Sequence, residues 1–335
     1  MSRLRLSVAM CTYNGARYLQ LQLDSIASQS LFPDELVVCD DGSSDDTLIL
    51  LKEFAKKSPF PVRLHVNESN LGATKNFEQA IRLCTGDVIV LSDQDDIWRP
   101  KKLEVLYAAL EMHPQAWYAF SDADIIDDMG LPLRRSLWES VGFNAHAVKQ
   151  FLGGDQLAFL LKRNIVTGAG MAIRASFKEY FLPLPTGWIH DYWIALLGST
   201  FGYGLGIPDQ LFSYRRHPVQ QIGTCRTTFL QDCRASLAVT AEGLAAKVER
   251  IRELEWRVMS TNAIAVFPSA NIDLIRQKTL HLERRFSIRA KQGSPRVLTF
   301  LVEALTGRYM KFSDLWWRSI TRDLLSCLTK SRVSK

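Results

Sequence analysis

Short apolar runs alternate with helically spaced apolar residues over the first two thirds of the chain. Leu6-Ser7-Val8-Ala9-Met10-Cys11, Leu36-Val37-Val38-Cys39 and Val88-Ile89-Val90-Leu91-Ser92 are too short and too uniformly apolar for amphipathic helices, so they read as buried strands. Between them Tyr18, Leu19, Leu23 and Ile26 make one helical face, Leu48–Lys57 and Ala73–Cys84 two further helices, and Val62–Val66 another strand. Strand and helix alternating at this spacing imply βαβ units with right-handed crossovers and a mostly parallel α/β sheet. Trp117–Asp122 adds a strand. From Tyr192 to Pro208 there is no charge, but the run holds four glycines and is short for a membrane span of roughly 20 residues. It reads as a buried helix, a glycine-rich turn and a strand.

Beyond Thr227 the period becomes helical: Phe229, Cys233 and Leu237, then Leu244, Val248, Ile251, Leu254 and Val258. Further helices are predicted near Ile272–Lys291 and from Pro295, where Val297, Phe300, Leu301, Ala304 and Leu305 share a face. Leu315, Trp316, Ile320, Leu324, Leu325 and Leu328 continue it. A boundary near residue 225 divides an α/β domain (1–225) from a helical region (226–335). Charge falls the same way: residues 1–225 carry 21 basic and 25 acidic side chains, a net of −4, while 226–335 carry 20 and 10, a net of +10. Arg308, Lys311, Arg318, Arg322, Lys330, Arg332 and Lys335 surround the apolar face. Basic amphipathic helices with tryptophan suit an anionic membrane interface, and packing on the protein itself is the alternative.

The six cysteines (Cys11, Cys39, Cys84, Cys225, Cys233 and Cys327) form no CxxC pair or short-range framework, which fits a reducing cytoplasm. Met-Ser-Arg-Leu-Arg-Leu leads straight into the first strand without an apolar leader segment, so no signal peptide is expected.

Candidate chemistry collects where strands end, the side of an α/β sheet on which ligands bind. After Ser92, three carboxylates (Asp93, Asp95 and Asp96) occupy four positions before Ile97-Trp98-Arg99-Pro100. Crowded carboxylates repel unless a cation lies between them, and a divalent ion with oxygen-ligand preference is the usual solution. A helix-capping turn with Asp96 as the cap is the plainer alternative. The first strand ends in Thr12-Tyr13-Asn14-Gly15 rather than a glycine-rich dinucleotide loop, and the second in Asp40-Asp41-Gly42-Ser43. Asp122, Asp124, Asp127 and Asp128 crowd what reads as a solvated loop. The glycines of Ile165–Ile173 permit either a close approach to a ligand or a tight bend. Asp191 opens an apolar helix, as a helix cap would, and Arg215-Arg216-His217 is a cationic cluster.

These motifs, with Asn70-Leu71-Gly72, Lys75-Asn76 and Thr85-Gly86-Asp87 in the same order, resemble family 2 glycosyltransferases, and the chain is similar to bacterial rhamnosyltransferase-like enzymes of surface polysaccharide assembly. The resemblance covers about residues 5–220. It implies the GT-A fold, an inverting mechanism, a nucleotide-diphosphate sugar donor and a divalent metal, Mg²⁺ or Mn²⁺. Residue by residue it implies donor binding by Thr12, Tyr13, Asn14, Asp41, Lys75, Asp93, Arg215 and His217. Asp41 would accept the base N3–H, which suits uracil or thymine. Asp93, Asp95 and His217 become candidate metal ligands. Lys75 stands where arginine is usual and lacks its bidentate fork. Asp191 would be the catalytic base, with His190 in place of the usual first acid of that motif. The implied acceptor is a hydroxyl of a glycan, lipid-linked in this reading, and the implied location is the cytoplasm, peripheral to the inner membrane through the C-terminal helices, with no nucleic-acid partner. Nucleotidyl transfer is a competing reading, but the basic glycine-rich loop it needs after the first strand is missing. A non-catalytic nucleotide-sugar sensor or assembly scaffold is the other, and the retained acids argue against it.

Overall fold

The computed structural model describes residues 3–218, 220, 240–261, 269–290 and 294–328. The expected helix around Phe229, Cys233 and Leu237, together with Cys225, Lys330, Arg332 and Lys335, lies outside the described residues. The chain divides into two compact units, Met1–Gln156 with Ile165–Thr224, and Leu157–Asn164 with Cys225–Lys335.

The first unit is built on strands β1 (Leu6–Thr12), β2 (Glu35–Asp40), β3 (Val62–Val66), β4 (Val88–Ser92), β5 (Ile97–Trp98), β6 (Ala116–Ile126), β7 (Pro132–Ser136), β8 (Met171–Arg174) and β9 (Tyr203–Arg215). They form one sheet in the order β3-β2-β1-β4-β8-β6-β9-β5, with β7 on β6. The half containing β3, β2, β1 and β4 is parallel, as expected. The other half is mixed. β8 runs antiparallel to both β4 and β6, β5 to β9 and β7 to β6, and only β6 and β9 pair in parallel. Helices α1 (Ala16–Ala27), α2 (Thr47–Lys57), α3 (Ala73–Leu83) and α4 (Lys102–Met112) connect the early strands. Every residue of β1, β2 and β4 is buried, which explains why these strands lack alternation. Asp122 and Asp124, expected in a loop, lie within β6. Asp122 accepts from the Ala123 and Trp138 backbone N–H groups, and Asp124 pairs with Arg99 and accepts from Ser213, so each finds partners in place of water.

Parallel pairing brings the carboxyl ends of β1, β2 and β4 to one edge, and the turns after them carry Thr12-Tyr13-Asn14, Asp41 and Asp93–Asp96. The helix His190–Phe201 is buried almost throughout, and Trp193 anchors it by donating from Nε1 to the Phe181 carbonyl at 2.9 Å.

The second unit contains the helices Ala241–Ser260, Ser269–Ala290, Ser294–Leu305, Arg308–Phe312 and Trp316–Leu328. Leu244, Val248, Ile251, Leu254 and Val258 form the buried stripe of the first, at the spacing the sequence predicts. Two carboxylates with no solvent exposure are satisfied by hydrogen bonds, chiefly from arginines. Asp323 accepts from Arg285 at 2.7 Å, Arg289 at 2.9 Å and the Tyr309 hydroxyl at 2.7 Å, and Glu303 meets His281 at 2.7 Å and Arg308 at 2.6 Å. Part of the basic excess is thus internal structure. Leu298, Leu301, Leu305, Trp316, Trp317, Leu324, Leu325 and Leu328 are nevertheless exposed. Among the described residues no helix is long and apolar enough to cross a membrane.

Candidate active site

A cavity of about 430 Å³ opens at the carboxyl edge of the parallel strands, and Thr12, Tyr13, Asn14, Asp41, Asp93, Asp95, Asp191 and His217 all line it. Residues from widely separated parts of the chain therefore converge on one cavity. Lys75 and Arg215 are not among the lining residues.

The floor is rigid. Thr12 donates to Asp40 at 2.7 Å, tying the ends of β1 and β2 together. Asn14, at φ 47°, accepts from the Ser44 N–H at its side-chain Oδ1 and donates its own backbone N–H to the Ser43 hydroxyl oxygen, in a left-handed conformation that asparagine tolerates. Gln94 clasps the Tyr13 backbone through both amide atoms. It fills the space beside Gly15, where a Cβ would come within 2.1 Å of Gln94 Oε1.

Asp41 is 3% exposed. Its Oδ1 accepts from Leu71 N at 2.8 Å and Asn67 Nδ2 at 2.9 Å, and its Oδ2 from Gly72 N at 2.9 Å. A carboxylate has about four acceptor sites, so one direction is left for a ligand donor. The turn that fixes Asp41 is the Asn70-Leu71-Gly72 motif preceding α3.

The acids after β4 serve different ends. Asp95 Oδ2 meets His217 Nε2 at 2.8 Å. Burial, then the charges of Asp95 and Asp191, push the Asp93 carboxyl up to about 7. Asp96 is buried and accepts from the Arg215 N–H at 3.1 Å, and the cap residue of α4 is Lys101, so Asp96 does not cap that helix. Burial and the neighbouring carboxylates push it well up. The Arg215 side chain turns back against this turn: Nε donates to the Asp95 carbonyl at 2.9 Å and the guanidinium covers the Tyr18 ring at 4.8 Å. Arg215 thereby braces the acidic turn from behind. Lys75 pairs with Glu78 at 2.7 Å, one turn along α3.

Asp191 is 7% exposed, and its Oδ2 accepts from Gly168 N at 2.8 Å. The cap residue of its helix is Ile189, so Asp191 is not the cap; its carboxylate instead fixes the turn Gly168–Gly170 that leads into β8.

Tyr18, which lines the cavity, and Lys102, which interacts with the acidic turn, carry little sequence signal of their own. Tyr18 reads as part of the apolar face of α1, yet it hydrogen-bonds Asp128 and packs on His217 with ring centroids 5.0 Å apart. Lys102, with no exposed surface and not among the lining residues, donates to the Ala169 carbonyl and lies 3.9 Å from the Trp98 ring and 4.4 Å from that of Phe212. Burial lowers its ammonium to about 7, against the opposing pull of Asp96 and Asp93. A charged residue at a core-facing helical position was the one available clue.

The profile of the family described as glycosyl transferase family 2 matches residues 7–181, more than half of the chain, and the chain belongs to that family. The fold is the GT-A fold. In Escherichia coli, the UDP-Glc:alpha-D-GlcNAc-diphosphoundecaprenol beta-1,3-glucosyltransferase WfgD is 34% identical over 99 residues, which are 30% of this chain and 38% of that protein. Staphylococcus aureus TarS 1–349, solved with UDP-GlcNAc, superposes with a TM-score of 0.58 at 15% identity, covering 97% of this chain and 89% of that one. The mannosyltransferase PcManGT of Pyrobaculum calidifontis, solved with GDP-Man and Mn²⁺, gives 0.55 at 17% identity over 98% and 88%.

Proposed function

We propose that this family 2 glycosyltransferase transfers a sugar from a UDP- or dTDP-sugar to a hydroxyl of a glycan, with inversion, in bacterial surface polysaccharide assembly. The observation that carries the reading is the convergence of Asp41, Asp93, Asp95, Asp191 and His217 on one cavity. WfgD, a relative whose name gives a diphosphoundecaprenol-linked sugar, supports a lipid-linked acceptor. A donor screen tests it: nucleotide sugars with and without Mn²⁺ or Mg²⁺, scored by thermal shift and slow donor hydrolysis.

The donor set fits a divalent cation. Asp95 and His217 touch one another, and Asp93 lies in the same field of negative charge. Among the described residues no three acidic, imidazole or thiol groups already form a metal cage. Mg²⁺ in phosphate-transfer sites is commonly held by one or two carboxylates plus substrate oxygens, so Asp93 and Asp95, with His217 beside them, are adequate protein ligands. When bound, the cation neutralises charge developing on the departing diphosphate. Asp41 holds the base, Arg215 keeps the acidic turn in place, and Asp191 takes the acceptor proton.

Asp41→Asn is expected to weaken UDP binding by about 1–3 kcal/mol, because the imide N3–H loses its charged acceptor. Isothermal titration checks this, and tighter binding of GDP than of UDP would show the pyrimidine assignment to be wrong.

The exposed leucines and tryptophans of the helical unit, in a region of net +10, support peripheral contact with anionic lipid. Sedimentation with phosphatidylglycerol vesicles is expected, decreasing with salt as head-group attraction is screened. Leu301→Asp with Leu305→Asp should abolish it. Salt-independent pelleting, or none, would assign this face to protein packing.

A further inference from the structure

His190 is a buried polar side chain that the proposed mechanism leaves without a task. It is 6% exposed and lines the cavity beside Asp191, and neither Nδ1 nor Nε2 has a hydrogen-bond partner. Its ring is clamped: Phe77 stacks on it with centroids 3.9 Å apart and planes 23° from parallel. On the edge, Nε2 faces Gly168, where a Cβ would fall 2.5 Å away, so the position is glycine because the imidazole occupies that space.

Leaving both ring nitrogens of a buried imidazole unpaired costs about 1–3 kcal/mol, a penalty that an apolar ring of the same shape would avoid. Such groups in native proteins call for an explanation, and because the ring borders the cavity a ligand that meets one of the two nitrogens supplies it. The form of the ring narrows the ligand. Burial pushes its pKa down to about 3, so it is neutral near pH 7, with one N–H donor and one acceptor nitrogen. The two nitrogens diverge and Nε2 is packed against Gly168, so a ligand meets one of them, and a hydroxyl, which both donates and accepts, suits that nitrogen in either tautomer. A phosphate would want two donors.

We infer that His190 binds a hydroxyl of a sugar in the active-site cavity and orients that sugar against Asp191. The inference rests on the glycosyltransferase reading. The hydroxyl belongs either to the transferred sugar or to the acceptor, and the same experiment separates them.

His190→Phe keeps the stack on Phe77 and removes both nitrogens. It should melt no lower than the wild type, since an unsatisfied pair is gone, while kcat/KM for transfer falls about 10–100-fold, the range expected for an unpaired buried polar contact. His190→Gln and His190→Asn each return one donor and one acceptor, near the positions of Nε2 and Nδ1, and one of them should recover part of the loss. Binding of UDP, UDP-glucose, UDP-N-acetylglucosamine and GDP-mannose is measured by titration for each protein. A weaker nucleotide sugar with unchanged UDP assigns the hydroxyl to the transferred sugar. Unchanged donor binding and hydrolysis with slower transfer assigns it to the acceptor. If His190→Phe matches the wild type in every arm, or loses stability and activity together with no recovery by Gln or Asn, the imidazole is a packing group and the inference is overturned. Failure of the wild type to bind any nucleotide or nucleotide sugar would overturn the glycosyltransferase reading instead, and this inference with it.

Discussion

Asp191→Asn is expected to lower kcat by about 10²–10⁴-fold while leaving nucleotide-sugar affinity nearly unchanged. A base interacts with a proton that moves only as the transition state forms, so its removal affects chemistry more than ground-state binding. The substitution is well controlled in this site. The Asp191 carboxylate accepts from Gly168 N at 2.8 Å, and the asparagine carbonyl can accept the same bond, so the Gly168–Gly170 turn should hold. The amide, however, cannot take the acceptor proton. Ile189, not Asp191, is the cap residue of the helix, so the melting temperature should hardly move. Product linkage completes the test, because direct displacement must invert the anomeric centre. Near-normal kcat, or retention of configuration, would mean that the base lies elsewhere.

The parallel half of the sheet was legible because β1, β2 and β4 are buried on both faces, and burial of that kind leaves a uniform apolar run in the sequence. Their carboxyl ends then had to coincide, which is why acids forty and more positions apart share one cavity. The mixed half was less legible, since antiparallel pairing of β8 with two neighbours depends on long-range contacts that no local pattern encodes. Asp122 and Asp124 illustrate the difficulty: four acids in seven positions look like a solvated loop, yet these two are satisfied within β6 by distant Trp138, Arg99 and Ser213. Tyr18 and Lys102 were invisible for a related reason. One belongs to an apolar helix face and the other to a lysine-rich helix start, and what each touches is decided by the tertiary fold. Lys75 and Arg215 show the converse, in that motif position placed them near the diphosphate while their side chains are engaged with Glu78 and with the acidic turn.

Asp95→Ala should abolish transfer with the fold intact, and donor-induced thermal stabilisation should no longer depend on divalent cation. Asp95 and His217 lie 2.8 Å apart at the cavity wall, and without the Asp95 carboxylate only Asp93 and the His217 imidazole would remain to hold a cation. The pH dependence provides an independent check on the same site. Burial, then Asp95 and Asp191, raise Asp93 to about 7. Between about pH 4, where an unfolded aspartate titrates, and about pH 7, the metal-free folded chain keeps a proton that the unfolded chain has released. The contribution of Asp93 therefore favours folding in acid and is lost as pH rises through about 7. A cation must displace that proton, so its apparent affinity rises with pH over the same window, and Mn²⁺-dependent stabilisation of the wild type by a nucleotide sugar should be weak at about pH 6 and strong at about pH 8. Melting curves with and without Mn²⁺ across this range measure both effects at once. In the Asp95→Ala variant the two sets of curves should coincide at every pH. Full activity of that variant in excess chelator, or a wild-type response to Mn²⁺ that falls as pH rises, would remove the cation from the proposed chemistry and leave His217 and the backbone of the acidic turn to hold the diphosphate.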